Sequence, residues 1–371
     1  MPLIDLILLE RLLMIVGASF TACLLVLLTQ HWHGKHSLDH DLDGAQKLHT
    51  KPVPRIGGLG LIVGLLVAAL VSYLTHGDSY PATLTLLVCS LPVFLAGFVE
   101  DLTKRVSVRT RLLSSFVSAA LAVWLLGAQL LDVDTPGLDA LMHVSFVAAL
   151  FTVFAVGGVT HSVNIIDGLN GLAGGAVCIM LGGLATLGWL YGDPVVMKLC
   201  LWGIAGLVGF MLLNYPFGKI FLGDGGAYLA GFWLAECAVL LLVRNPEIST
   251  WTVLLCCLYP VLETGYSMFR RHVIHKVPSG LPDMGHMHQL LFKWLQSKAP
   301  ENAHWPHWLS HGITSVKIWA IVAACQLVAV TTPTQAGLHV TFIVITVCLY
   351  VTLHRALWGD DEPDSVALAA R

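Results

Sequence analysis

The sequence predicts an all-α polytopic membrane protein, on three observations. Only 12% of its 371 residues are charged and 56% are hydrophobic, whereas an ordinary soluble domain carries about a quarter charged residues. Apolar runs of about twenty residues recur along the whole length, each able to cross a bilayer core of roughly 30 Å. The remaining charges are gathered into short stretches between those runs.

The spans fall near 6–29, 56–75, 81–99, 112–130, 141–160, 172–191, 195–213, 224–243, 249–269, 315–333 and 337–356. They make about eleven transmembrane helices with active-site loops on one side. Together they form one integral membrane domain over 1–371, with a long loop at 270–314 and an acidic tail at 357–371. The first run is too long for a signal peptide and lacks a small-residue cleavage site. The nine cysteines lie in apolar runs without a C-x-x-C pair and read as small buried hydrophobes. No internal repeat is visible, which speaks against transporters built from duplicated halves.

Orientation follows from the cations. Lys35, Lys47, Lys51 and Arg55 follow the first span; Lys104, Arg105, Arg109 and Arg111 follow the third; Arg270, Arg271, Lys276, Lys293 and Lys298 follow the ninth. Loops of the other parity are nearly bare, with Arg244 the main exception. The positive-inside rule places the first set in the cytoplasm, the N-terminus outside, and the tail with Asp360, Asp361, Glu362 and Asp364 inside. The same cytoplasmic loops hold the chemically loaded stretches. A channel or transporter would more often carry polar groups at the bilayer midplane.

The densest stretch is 164–175, which contains Asn164, Asp167 and Asn170 among four glycines. Carboxylate and amide oxygens beside unhindered backbone suit a hard cation or a polar ligand; the plainer alternative is a turn in which these residues cap the next helix. Asp224 stands among Gly223, Gly225 and Gly226 at a helix entrance, where free N–H groups favour anions and the carboxylate could hold Mg²⁺, or simply serve as an N-cap. Phe221 could stack on a base or pack in the core. Glu100 and Asp101 point about 100° apart on a helix, so one can face a site while the other meets Lys104 or Arg105. Lys51 and Arg55 could bind phosphate or anchor the helix at the headgroups. His286 and His288 would project to one side of an extended chain, whereas His304, His307 and His311, with Trp305 and Trp308, resemble an interfacial belt. Glu236 and Glu263 lie within spans, and Glu263 reads as an ion-pair partner of Arg270.

In order along the chain, these stretches read K-L-H-x-K-x-x-P-x-x-G-G, G-F-V-E-D, N-I-I-D-G-L-N-G-L-A, N-Y-P-x-x-K-I-F-L-G-D-G-G, E-T-x-x-x-x-x-R-R and P-D-x-x-H-M-H. The set, covering about 47–292, resembles the bacterial polyprenyl-phosphate N-acetylhexosamine-1-phosphate transferases, the superfamily that includes phospho-MurNAc-pentapeptide transferase. The resemblance implies transfer of sugar-1-phosphate from a UDP-N-acetylhexosamine to undecaprenyl phosphate at the bacterial inner membrane, with release of UMP. It implies Mg²⁺ as cofactor, with Mn²⁺ as an alternative, and Asp224 as principal ligand with Asn164 and Asp167 beside it. Asp101, with Glu100 before it, would act on the lipid phosphate; His286 and His288 would grip the diphosphate. Phe221 would stack on uracil, and Asn214 would bind the nucleoside. Lys51, Arg55, Asn170, Arg270 and Arg271 complete the expected substrate contacts. The expected partners are the two substrates and the lipid bilayer, with a homodimer admitted and no nucleic acid. Glu100 for the usual Asp, Gln289 for a His and Leu281 for a basic residue point to the branch that initiates O-antigen or other envelope polysaccharides. An intramembrane prenyltransferase would need D-x-x-x-D pairs, but Arg105 and Gly171 stand four positions after Asp101 and Asp167.

Overall fold

The computed structural model describes residues 5–39, 52–276, 283–298 and 305–358; Lys51 and the acidic tail lie outside them. The chain is a multi-pass helical bundle. Helices α1 (Leu6–Leu28) and α2 (Gln30–Ser37) lead into a two-residue strand, β1 (Leu38–Asp39), which pairs antiparallel with β2 (Val53–Pro54). Then come α3 (Gly58–Leu74), α4 (Tyr80–Thr103), α5 (Val108–Leu126), α6 (Pro136–Met142), α7 (Ser145–Ile165), α8 (Leu172–Leu190), α9 (Pro194–Asn214) and α10 (Gly223–Arg244). The remainder is α11 (Thr250–Cys256), α12 (Leu258–Phe269) with a π-helical continuation Arg270–His275, α13 (Met287–Ser297), α14 (His307–Thr331) and α15 (Ala336–Trp358).

Among the described residues, nine helices are long and apolar enough to cross a membrane. The bent pair α11–α12 and the shorter α3 occupy the other two expected spans. Three differences have physical causes. The ninth span is broken and turns by 80°; Gln326 Nε2 on α14 donates to the Cys256 carbonyl at the break, 2.8 Å away, so the freed backbone has a partner inside the apolar bundle. α5 stops at Gly127, whose φ of +64° is a left-handed helix end. The expected loop at 270–314 carries α13 and the first turns of α14.

α10 is the hub, almost wholly buried. Three neighbours approach it at glycines: a Cβ on Gly58 or Gly97 would lie 2.6 Å from backbone atoms of Gly226 or Gly225, and one on Gly231 would lie 2.8 Å from the Thr160 carbonyl oxygen. Small residues let backbones come this close and add dispersion contacts that lipid cannot replace. They fix the N-terminal turn of α10, and hence Asp224, against α3 and α4.

Candidate active site

Segments far apart in sequence meet at one end of the bundle. The loop before α10 is stitched to the entry of α3 by Phe221 N–H to Pro54 O (2.8 Å), Gly57 N–H to Phe221 O (2.9 Å) and Gly58 N–H to Leu222 O (2.8 Å). Asp224, in the first turn of α10, pairs with Arg111 from α5. It accepts from Asn164 Nδ2 at 3.2 Å and lies 3.7 Å from Arg55.

Asp101 is buried beneath it. Its oxygens accept the Asp224 and Gly225 N–H groups, both at 2.9 Å, and Arg55 Nε at 3.2 Å. The anion at this helix N-terminus is therefore the protein's own carboxylate, and these two amides are not left for substrate phosphate. Asp101 holds Asp224 and Arg55 in place. Glu100 turns the other way and accepts the Val106 N–H at 2.7 Å, which closes the α4–α5 link, while Lys104 pairs with Asp39 at 3.4 Å.

Above these groups lies a cavity of about 340 Å³. Asn164, Asp167 and Asn170 line one wall, Arg55, Phe221 and Asp224 another, and His286 and His288 a third. Among the described residues the Asp167 carboxylate accepts no hydrogen bond, and burial together with the neighbouring Asp224 pushes it up to about 7, against the pull of Arg55. Arg55 stays charged: burial opposes its charge, and Asp101, Asp224 and Asp39 more than offset that.

Two carboxylates and an amide oxygen form a donor set suited to a hard cation. Among the described residues no three His, Cys, Asp or Glu side chains are grouped to hold a metal by themselves. An ion here would thus complete its shell with water and phosphate oxygens, as Mg²⁺ commonly does. Asp224 and Asp167 fit that role, with Asn164 beside them.

The histidine segment enters from the α12–α13 link. His286 Nδ1 is 3.1 Å from Glu263 Oε1, which also accepts the Met287 N–H at 2.8 Å. The two imidazoles stack at 5.5 Å and 7°. His288 lies against the 164–171 turn, where a Cβ on Gly168 would be 2.7 Å from its Nε2. Burial pushes His288 down to about 4, so at neutral pH it offers hydrogen bonding rather than charge.

Several expected roles are corrected by these placements. Glu263 pairs with His286, not Arg270. Arg270 is buried against Asp283 at 2.5 Å, and neither it nor Arg271 lines the cavity. Asn214 reaches the cavity wall, but its amide staples two loops, accepting Gly171 N–H at 2.6 Å and donating to Ile220 O at 2.7 Å. His311 is no interfacial residue: it is buried, accepts the Asn170 N–H at 3.4 Å and lines the cavity. Phe221, Asn170 and His311 also border an adjoining cavity of about 670 Å³. Asp39, Arg111 and His311 are the site residues that the motifs did not mark.

Residues 83–242 match the sequence profile of glycosyl transferase family 4. The chain is 27% identical over 252 residues to the probable undecaprenyl-phosphate N-acetylglucosaminyl 1-phosphate transferase of Bacillus subtilis, covering 68% of this chain and 69% of that one. It is 30% identical over 244 residues to the phospho-N-acetylmuramoyl-pentapeptide-transferase of Streptococcus mutans, covering 62% and 69%. It is 28% identical over 250 residues to the undecaprenyl-phosphate alpha-N-acetylglucosaminyl 1-phosphate transferase of Thermotoga maritima, covering 67% and 72%. With its long apolar helices, these matches make the protein a multi-pass membrane transferase. The chain belongs to glycosyl transferase family 4.

Proposed function

We propose that the protein transfers N-acetylhexosamine-1-phosphate from a UDP-sugar to undecaprenyl phosphate, releasing UMP, and so initiates an O-antigen or other envelope polysaccharide. The names of the relatives support the acceptor and the sugar class. The departures at Glu100, Leu281 and Gln289 favour the polysaccharide branch. The cation-rich loops favour a cytoplasmic site at the inner membrane with the N-terminus outside. One observation carries the reading: Asp167 and Asp224 face a single cavity that Arg55, the imidazoles of His286 and His288 and the ring of Phe221 also line.

An oxygen of the lipid phosphate attacks the sugar-bearing phosphorus, a P–O bond forms there, and the bond to the bridging oxygen breaks, so that UMP leaves with that oxygen. Such a transfer needs in-line placement and charge neutralisation more than covalent help. A bound Mg²⁺ or Mn²⁺, held by Asp224 and Asp167, would supply Lewis-acid neutralisation of the diphosphate. Arg55 lines the cavity and Arg111 pairs with Asp224, so both place positive charge on that side of it. His286 and His288 supply hydrogen bonds from the opposite wall, and Asp101 keeps Asp224 and Arg55 aimed at the cavity. Phe221 offers a face for the base.

The test is release of UMP by purified protein from UDP-GlcNAc, UDP-FucNAc and UDP-QuiNAc. Release that requires undecaprenyl phosphate and a divalent cation together, with one sugar preferred, supports the reading. No release from any of the three, or release independent of the lipid, overturns it.

A further inference from the structure

The last helix, α15, is the most peripheral of the bundle: His339, Tyr350 and His354 are its buried residues, and it lies outside the segment that matches the family profile. Its site-facing end nonetheless grips the turn that carries the histidines. His354 Nε2 is 2.8 Å from the Gly285 carbonyl oxygen, a contact that requires the ring proton on Nε2 and donates it to that carbonyl. Trp358 stacks on His354 at 5.5 Å and 16° and lies over the Arg270 guanidinium, 4.5 Å from ring centre to carbon. Arg270 in turn donates to Asp283 Oδ2 at 2.5 Å; that carboxylate also accepts Ser267 Oγ at 2.5 Å and the Gly285 N–H at 2.9 Å. A Cβ on Gly285 would collide with the Trp358 ring. His286 follows directly, held on its other side by Glu263.

We infer that His354 and Trp358 are positioning residues that clamp the Asp283–His288 segment against α12 and so fix His286 and His288 at the cavity. The inference rests on the proposed role of those two histidines. The clamp is built from a hydrogen bond, a cation–π contact and a ring stack, all converging on one turn. An aromatic face over a buried, paired guanidinium is a better-defined contact than apolar packing, because it has a required geometry. The rest of α15 is held separately, by buried His339 between Thr252 and Thr332 and by Tyr350 against Tyr266, so weakening the clamp frees the turn without emptying the core.

The experiment labels the full-length protein in detergent with diethyl pyrocarbonate and follows His286 and His288 by mass spectrometry, alongside turnover of UDP-GlcNAc. In His354→Ala and Trp358→Ala, labelling of the two histidines should speed up about tenfold as the turn opens locally. Turnover (kcat) should fall about 10- to 100-fold through misplacement, with KM for undecaprenyl phosphate and the melting temperature near wild type. His354→Gln and Trp358→Phe, which keep a donor and an aromatic face, should restore both readouts. His354→Ala added to His286→Ala should cause no further loss, because residues acting as one unit are not additive. Unchanged labelling in the alanine variants overturns the inference, as does faster labelling of all histidines with a fallen melting temperature and no rescue. An active Asp224→Asn protein would instead sink the site reading itself, whatever the labelling shows.

Discussion

At the end of the bundle that carries Asp134 and Asp193, the links between helices are fastened to their neighbours. Asp134 accepts Ser249 Oγ at 2.5 Å and Thr250 N–H at 2.7 Å. Asp193 caps α9 through the Val195 and Val196 N–H groups and pairs with Arg244 at 2.6 Å. His339 lies 3.0 Å from both Thr252 and Thr332 hydroxyls. At the opposite end, acids of the same kind face a cavity: among the described residues, Asp167 accepts no hydrogen bond and buried His288 Nδ1 has no partner. The same residue types thus stabilise one end and leave the other with unmet electrostatic demand. A buried group left in that condition is a binding opportunity.

The comparison can be broken by substitutions at each end. Asp224→Asn should lower kcat by about 10³-fold, the scale of losing a central electrostatic contact, with the protein still folded in the membrane; assay and melting curve in parallel check this. Asp101→Ala should lower kcat about 100-fold and also destabilise by about 1–2 kcal/mol, since it strips two N–H groups of their acceptor. Denaturation of the purified variant measures the second part. Gly168→Ala should reduce turnover about tenfold by displacing the end of His288, with stability nearly unchanged.

Asp134→Ala should do the reverse, losing about 1 kcal/mol of stability while UMP release stays at the wild-type rate. Asp193 adds a pH signature to this quiet end. Despite burial, its bonds to Arg244, Val196 and Asn245 hold it below the ordinary carboxylate value of 3.8. Its stabilisation is therefore complete above that value and is lost as pH falls through its lower, folded-state value. The melting temperature should drop in acid less steeply in Asp193→Asn than in wild type. Smallest of all should be Glu100→Gln, whose amide oxygen can still accept the Val106 N–H; activity within about twofold is expected.

The helical spans were legible because burying apolar side chains in lipid leaves a twenty-residue signature that needs no partner. The motif residues Asp101, Asp167, Asp224, His286 and His288 were legible because polar groups between such runs stand out. What was hidden depends on distant neighbours. The break at Cys257 is tolerated through Gln326, and no local pattern records that. Arg111 sits in a basic run that also serves to orient the chain, so its pairing with Asp224 is indistinguishable from headgroup anchoring. Asp39 belongs to no motif and reaches the cavity through a two-residue strand pairing. Which of Glu100 and Asp101 turns inward is a matter of helical phase. Glu263 finds His286 rather than Arg270, a contact between residues 23 apart in sequence that no local pattern records.

Binding of Mn²⁺ followed by electron paramagnetic resonance puts the contrast between the two ends to the most direct test. One tightly bound ion in the wild-type protein, perturbed by UDP-GlcNAc, lost in Asp224→Asn and kept in Asp134→Ala, is the predicted result. An ion bound equally well by Asp224→Asn would contradict it.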